Sequence, residues 1–305
     1  MSASDNLLQD LTPYIYGTTR LGDEQLSNEH RIFIALEAMN SGVWFHASEQ
    51  YGNTLEILGE AFRRQPQAIP KIIFKVEGEN IDELRAVIQR NLQPLDLSHM
   101  DIAQLCLRGP IEREYRQGGA CFDEFRKWKE KGLVHRFIKE VFPWSSTATL
   151  DALLAGHADD VVDGYIFYFN PLQRFALNPL WQEITERKLP IIAMRTVCGN
   201  TVHALRDVPG AAWKPYLQQR AKKVAPIFES SEIQDWVEFC LRFVFSHPQV
   251  IASVGATADT GHFHTLFELS KQRLRPLSAG TLNTLTELQY AWSNDVDIHA
   301  PPWSM

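Results

Sequence analysis

The stretch "VWFHASEQYG" at residues 43–52 sets a histidine, a serine and a tyrosine directly after an apolar run and just before a glycine. Val43, Trp44 and Phe45 have the β-branched and aromatic character of a buried strand, and the polar change at His46 marks its end. Imidazole and phenol are both general acid/base groups, so His46 and Tyr51 are candidates for moving protons at that strand end. Further candidates follow at later strand ends. Lys139 and Glu140 close one apolar run, and Arg195 closes another. Arg195 suits a clamp on a substrate carboxylate, or equally a salt bridge with Glu140. Inward and outward sides alternate along a strand, so only some of these can face a common pocket. His262 and His264, in "GHFH", have no carboxylate or cysteine at ligand spacing. A surface pair at a helix start is expected there, and no metal.

Short strand-like runs alternate with longer amphipathic stretches along the chain. The runs fall at 13–18, 43–45, 71–76, 99–107, 133–141, 163–169, 190–197 and 250–254. Ser27 and Gly42 are start and stop signals for the first helix. Ser231 with Gln234 forms a capping-box pattern for a helix over 231–245, and 198–230 reads as the longest loop. Eight strands, each followed by a helix, predict a single-domain (β/α)₈ TIM barrel over 1–305, with 1–12 and 293–305 as terminal extensions. An open doubly wound sheet would carry a Gly-rich phosphate turn after its first strand, and "YGTTRLG" is not one.

Composition narrows the class. Hydrophobic residues make up 45% of the 305 and charged residues 22%, as in an ordinary globular protein. A net charge of −7 argues against nucleic acid or an anionic membrane surface as partner. No apolar run is long enough to span a bilayer, and the polar N-terminus is not a secretory signal. Cys106, Cys121, Cys198 and Cys240 are widely spaced, which suits free thiols in a reducing cytoplasm.

The strand ends also resemble those of a known family. Gly42 to Gly52, followed by "LGEAF" at 58–62, is similar to the second-strand signature of the aldo/keto reductases, G-x-x-x-F-D-T-A, then Y-G, then L-G-x-A-L. "IIFKV" resembles their third strand with its lysine, and "MDIAQLC" their I-D-L-Y-Q-L-H. "KEKGLVHRF", "FNPLQR" and "LRFVFSHPQVIASVGA" are similar to later family segments, in order over about 13–272. The resemblance implies a TIM barrel and NADPH-dependent carbonyl reduction. It also implies a proton-donating tyrosine, a lysine that lowers the tyrosine pKa, an aspartate paired with the lysine, and a histidine that orients the carbonyl.

Tyr51 matches the tyrosine and Lys75 the lysine, but His46 stands where the aspartate belongs and Cys106 where the histidine belongs. The cofactor positions depart as well. Glu140-Val141 replaces the Ser-Asn pair, Ile166 the glutamine, and Met194 the aromatic that stacks on nicotinamide. Residues 255–270 contain no Lys or Arg to hold the 2′-phosphate. With the aspartate gone, burial is expected to lower the Lys75 pKa. Lys75 could then relay protons to Tyr51, pair with a Cys106 thiolate or attack a carbonyl. Asn170 and Arg174 lie in a segment the family shares, where Asn170 is a candidate for substrate binding and a structural turn explains it equally.

The expectation is an enzyme acting on a small carbonyl-containing molecule through Tyr51, Lys75, Cys106 and His46, by isomerisation, dehydration or cyclisation without NADPH. Arg195, Glu140 and Asn170 are the expected substrate contacts. The alternatives are an NADPH-dependent reductase with an atypical cofactor pose and a non-catalytic member that serves a protein partner.

Overall fold

The computed structural model describes residues 8–199, 201–204, 215–272 and 274–294. Nine strands form among them: β1 (Tyr14–Gly17), β2 (Trp44–Ala47), β3 (Ile72–Gly78), β4 (Met100–Leu107), β5 (Val134–Glu140), β6 (Val162–Asn170), β7 (Gln173–Arg174), β8 (Ile191–Met194) and β9 (Val250–Ala256). All but β7 pair in parallel, in the order β5-β4-β3-β2-β1-β9-β8-β6, and β6 pairs back to β5. The sheet is thereby closed into the expected (β/α)₈ barrel. The two-residue β7 is an antiparallel hairpin partner for the end of β6. No helix among the described residues is long and apolar enough to cross a membrane.

Strand alternation divides the core into two layers. Trp44, Ile73, Ile102 and Ile138 belong to one apolar cluster, and their chain neighbours Phe45, Phe74, Ala103 and Phe137 to another. Every barrel strand therefore buries both faces, which is why the strands read as nearly continuous apolar runs.

The helices follow their caps. α1 (Asn28–Asn40) opens on Ser27, whose hydroxyl accepts from the His30 N–H, and left-handed Gly42 (φ 68°) follows its end. α2 (Thr54–Arg64) and α3 (Ile81–Leu92) flank β3 in sequence. One expected helix after β4 is two, α4 (Gly109–Gln117) and α5 (Cys121–Glu130), broken by left-handed Gly118 (φ 70°). α6 (Ser146–Leu154) and α7 (Asn178–Glu186) follow β5 and β6.

The region 198–230 is not a loop throughout. It contains α8 (Pro215–Glu229), which buries Ala221, Val224 and Ala225 at helical spacing. The basic residues and internal Pro226 of that helix obscure the pattern in the sequence. Residues 205–214 of the region lie outside the described residues, as do 1–7 and 295–305 of the expected extensions. The expected capping box at Ser231 and Gln234 does not form. α9 (Trp236–Phe245) starts at Asp235, whose carboxylate accepts from the Glu238 N–H at 2.8 Å. An ionised cap complements the helix dipole better than a hydroxyl, and Ser231 instead bonds back to the Phe228 carbonyl at 2.6 Å. α10 (Thr260–Lys271) and α11 (Ala279–Ser293) complete the ring.

His247, just past α9, sits among the rings of Phe169, Phe243 and Trp181, with centroids 4.9, 5.1 and 5.5 Å away. Burial, aided by the Arg174 charge, pushes its pKa from 6.5 down to about 4. A depressed histidine pKa means that the unfolded chain takes up the proton first. Its full stability is therefore present above pH 6.5 and is lost as pH falls toward 4, by about 3 kcal/mol at about 1.4 kcal/mol per pKa unit. Urea unfolding of His247→Phe between those pH values should show a loss smaller by about that amount. Equal losses in the two proteins would rule this account out.

Candidate active site

The C-terminal ends of the strands carry a buried polar cluster. Lys75 from β3, His46 from β2, Gln104 and Cys106 from β4, and Glu140 from β5 are each exposed by 3% or less. Tyr51 stands beside them on the turn between β2 and α2, its ring centroid 6.1 Å from that of His46.

Backbone contacts fix this turn. A Cβ on Gly22 would lie 2.0 Å from the Tyr51 carbonyl oxygen, so only glycine allows the β1–α1 connection to close on it. Buried Arg31 donates to the Leu21 carbonyl at 2.8 Å and to the Asn53 side chain at 2.6 Å, tying the two turns together. Asn91 of α3 donates to the Lys75 carbonyl at 3.3 Å, and its oxygen accepts from the Glu49 N–H at 2.9 Å. One buried amide thus holds both the lysine strand and the tyrosine turn.

The electrostatics differ from the expectation. Lys75 Nζ lies 2.8 Å from Glu77 Oε2, and the other Glu77 oxygen lies 2.5 Å from Arg108. Burial alone would pull the Lys75 pKa down, but Glu140, Cys106, Glu77 and Tyr51 together hold it above its ordinary value. The counter-charge lost at His46 is therefore resupplied by carboxylates, and a neutral lysine nucleophile is not what this site holds. Burial drives the Cys106 thiol up, reinforced by Glu140 and only partly opposed by Lys75, so it stays protonated. A thiolate paired with Lys75 does not form. Glu77, two residues along the same strand face, is not legible in the sequence, because an i, i+2 carboxylate on a strand marks no motif.

His46 Nε2 lies 2.7 Å from Gln104 Oε1, and with the amide oxygen facing the ring the imidazole carries its proton on Nε2. Burial holds the imidazole pKa below its ordinary value, against the opposing Gln104 bond and Glu140 charge. Burial likewise raises the Tyr51 phenol pKa, and the adjacent Lys75 charge lowers it in part. Glu140 Oε2 is buried and has no hydrogen-bond partner among the described residues. Lys139 is on the opposite side of β5, its Nζ 5.7 Å above the Tyr115 ring and donating to the Glu140 carbonyl at 2.6 Å.

The remaining candidates divide. Arg195, left-handed at φ 49°, lays its guanidinium 4.6 Å over the Tyr168 ring. The expected Arg195–Glu140 salt bridge does not occur among the described residues, because the arginine stacks instead on Tyr168, a residue that no sequence motif marks. Asn170, expected as a substrate contact, is buried and bonds to backbone. Its amide donates to the Arg195 carbonyl at 2.9 Å and its oxygen accepts from the Leu172 N–H at 2.8 Å, so both ends are committed to backbone. Arg174 is structural too, stacked 4.9 Å from both Trp181 and Tyr290.

The chain superimposes over most of its length on solved aldo/keto reductase barrels. An aldo/keto reductase from Klebsiella pneumoniae, crystallised with NADP and acetate, is 15% identical, with 92% of each chain covered and a TM-score of 0.66. The aldo-keto reductase AKR11C1 from Bacillus halodurans is 16% identical, with 91% of this chain and 92% of that one covered and a TM-score of 0.67. The chain has the aldo/keto reductase fold. No family model matches the sequence, and no curated protein matches it significantly.

Glu140, Ile166 and Met194, where the resemblance implies cofactor contacts, are all buried. The N-terminus of α10 is capped by the Asp259 carboxylate, which accepts from the His262 N–H at 2.7 Å.

Breaking a buried ion pair from one side leaves an uncompensated charge. Glu77→Ala should therefore lower unfolding stability by about 3 kcal/mol, and Lys75→Met/Glu77→Leu should lose much less. Chemical denaturation of Lys75→Met, Glu77→Leu and the double variant gives the coupling directly. Additive losses would show that the pair has no energetic connection.

Proposed function

We propose that this chain is an enzyme that moves protons on a small carbonyl-containing molecule at Tyr51 and Lys75, without taking hydride from NADPH. The observation that carries the reading is the unpartnered Glu140 Oε2, buried in the same cluster as Lys75, Tyr51 and His46. A buried carboxylate oxygen without a donor is a group positioned to accept a proton.

In an isomerisation, Glu140 removes the proton from the carbon beside the carbonyl while the Tyr51 O–H protonates the carbonyl oxygen. An enol forms, with one proton on each residue exchanged and no electron acceptor needed. The Lys75 ammonium stabilises the Tyr51 phenolate that results. Arg195, at the rim over Tyr168, is placed to hold an anionic substituent of the substrate. Cys106 contributes a neutral polar wall and His46 a neutral imidazole. A small-molecule substrate and a cytoplasmic setting complete the reading, the latter in keeping with the four free thiols.

The second reading is an NADPH-dependent reductase with an atypical cofactor pose. It rests on the retained Tyr51–Lys75 pair and on fold neighbours crystallised with NADP or NADPH. One experiment separates the two. A panel of small hydroxy- and keto-compounds is incubated with the protein in D₂O, and deuterium entry beside the carbonyl is followed by NMR. Exchange without cofactor is expected, lowered at least about 100-fold by Tyr51→Phe and by Glu140→Gln. NADPH is expected to leave the protein fluorescence unquenched. Tight NADPH binding with cofactor-dependent reduction would replace the first reading with the second.

A further inference from the structure

At the opposite, N-terminal end of the barrel, two imidazoles and a carboxylate converge. His99 directly precedes β4, Asp101 is the second residue of β4, and His135 is the second residue of β5. The parallel register Met100–Val134 and Ile102–Arg136 sets Asp101 beside His135. The two imidazole rings lie 4.3 Å apart, tilted by 32°. One donor atom from each of the three residues lies within 4.8 Å of the other two.

We propose that His99, Asp101 and His135 form a binding site for a divalent transition-metal ion, Zn²⁺ by the chemistry of its donors. Two nitrogens and one carboxylate oxygen are a borderline donor set, which favours Zn²⁺ over the all-oxygen environment that Mg²⁺ and Ca²⁺ require. Water takes the fourth position.

The surroundings are those of a built site. Asp101 Oδ2 accepts from the Ile72 N–H at 2.9 Å, which fixes the carboxylate and leaves Oδ1 to the ion. Ser98 Oγ lies 3.1 Å from His99 Nδ1, and a hydroxyl accepting there leaves Nε2 with its lone pair. Such partners orient metal ligands and maintain their tautomers. The cations that act on His135, Lys71 and Arg136, have their own counter-charges, Asp10 at 3.7 Å and Asp163 at 3.4 Å. Donors around a tetrahedral zinc lie about 3.4 Å apart, so rotation of the imidazoles on fixed strands closes the site. The bound ion would clip the start of β4 to the start of β5, the strands that carry Gln104, Cys106 and Glu140 at their other ends.

The test uses the intact chain freed of metal by a chelator and titrated with Zn²⁺ against a chromophoric competitor, and separately with Co²⁺. One equivalent is expected to bind, with Co²⁺ showing ligand-field bands and no thiolate charge-transfer band. His99→Ala, His135→Ala and the near-isosteric Asp101→Asn should each weaken Zn²⁺ binding at least tenfold with unchanged circular dichroism. His262→Ala should bind like the parent. Absence of binding, binding untouched by all three ligand variants, or a thiolate band from one of the free cysteines would overturn the proposal.

Discussion

A lysine ammonium taken out of water at the end of β3 constrains everything around it. Moving such an ion into a protein interior costs several kcal/mol unless carboxylates and hydrogen bonds compensate. Lys75, only 1% exposed, obtains that compensation from Glu77 on its own strand face and from the charge of Glu140. Glu77 is itself balanced by Arg108 at the mouth. Asn91 holds the Lys75 backbone and the Tyr51 turn through one side chain. The ion pair cannot be rearranged without disturbing the phenol beside it.

This network explains how the cluster holds together with His46 where the resemblance implies an aspartate. An aspartate at that position would place a third carboxylate near Lys75. With Glu77 and Glu140 present, a neutral imidazole satisfies the site better, because a further buried anion would be uncompensated. His46 spends its Nε2 proton on Gln104 and stays uncharged. The cluster holds one lysine cation against carboxylates whose number is already sufficient.

The sequence carried the barrel and part of the site, for identifiable reasons. Strands buried on both faces read as apolar runs, and Ser27, Gly42 and the strand-end residues Tyr51 and Lys75 stand at positions with recognisable local chemistry. Glu77, Gln104 and Tyr168 were not legible, because their significance depends on which strands become neighbours. Asn170 shows the opposite: a polar residue at a strand end looks available in the sequence, whereas both ends of its amide bond to backbone groups of the next connection. α8 was hidden by Pro226 and its basic residues, although its apolar stripe at Ala221, Val224 and Ala225 was present throughout.

The end of the barrel where a dinucleotide would lie completes the argument. A helix N-terminus attracts an anion through unpaired N–H groups and the helix dipole. At α10 the chain supplies that anion itself through Asp259, and no Lys or Arg within 255–270 would offset a phosphate brought beside it. At the end of β5, Glu140 stands where the resemblance implies a carboxamide contact. A buried carboxylate there needs a nearby cation, and Lys75 is the cation whose pKa it raises. On the proposed reading, a single residue thus serves two ends: Glu140 replaces a cofactor contact with a proton acceptor, and it restores the charge that keeps Lys75 protonated beside Tyr51.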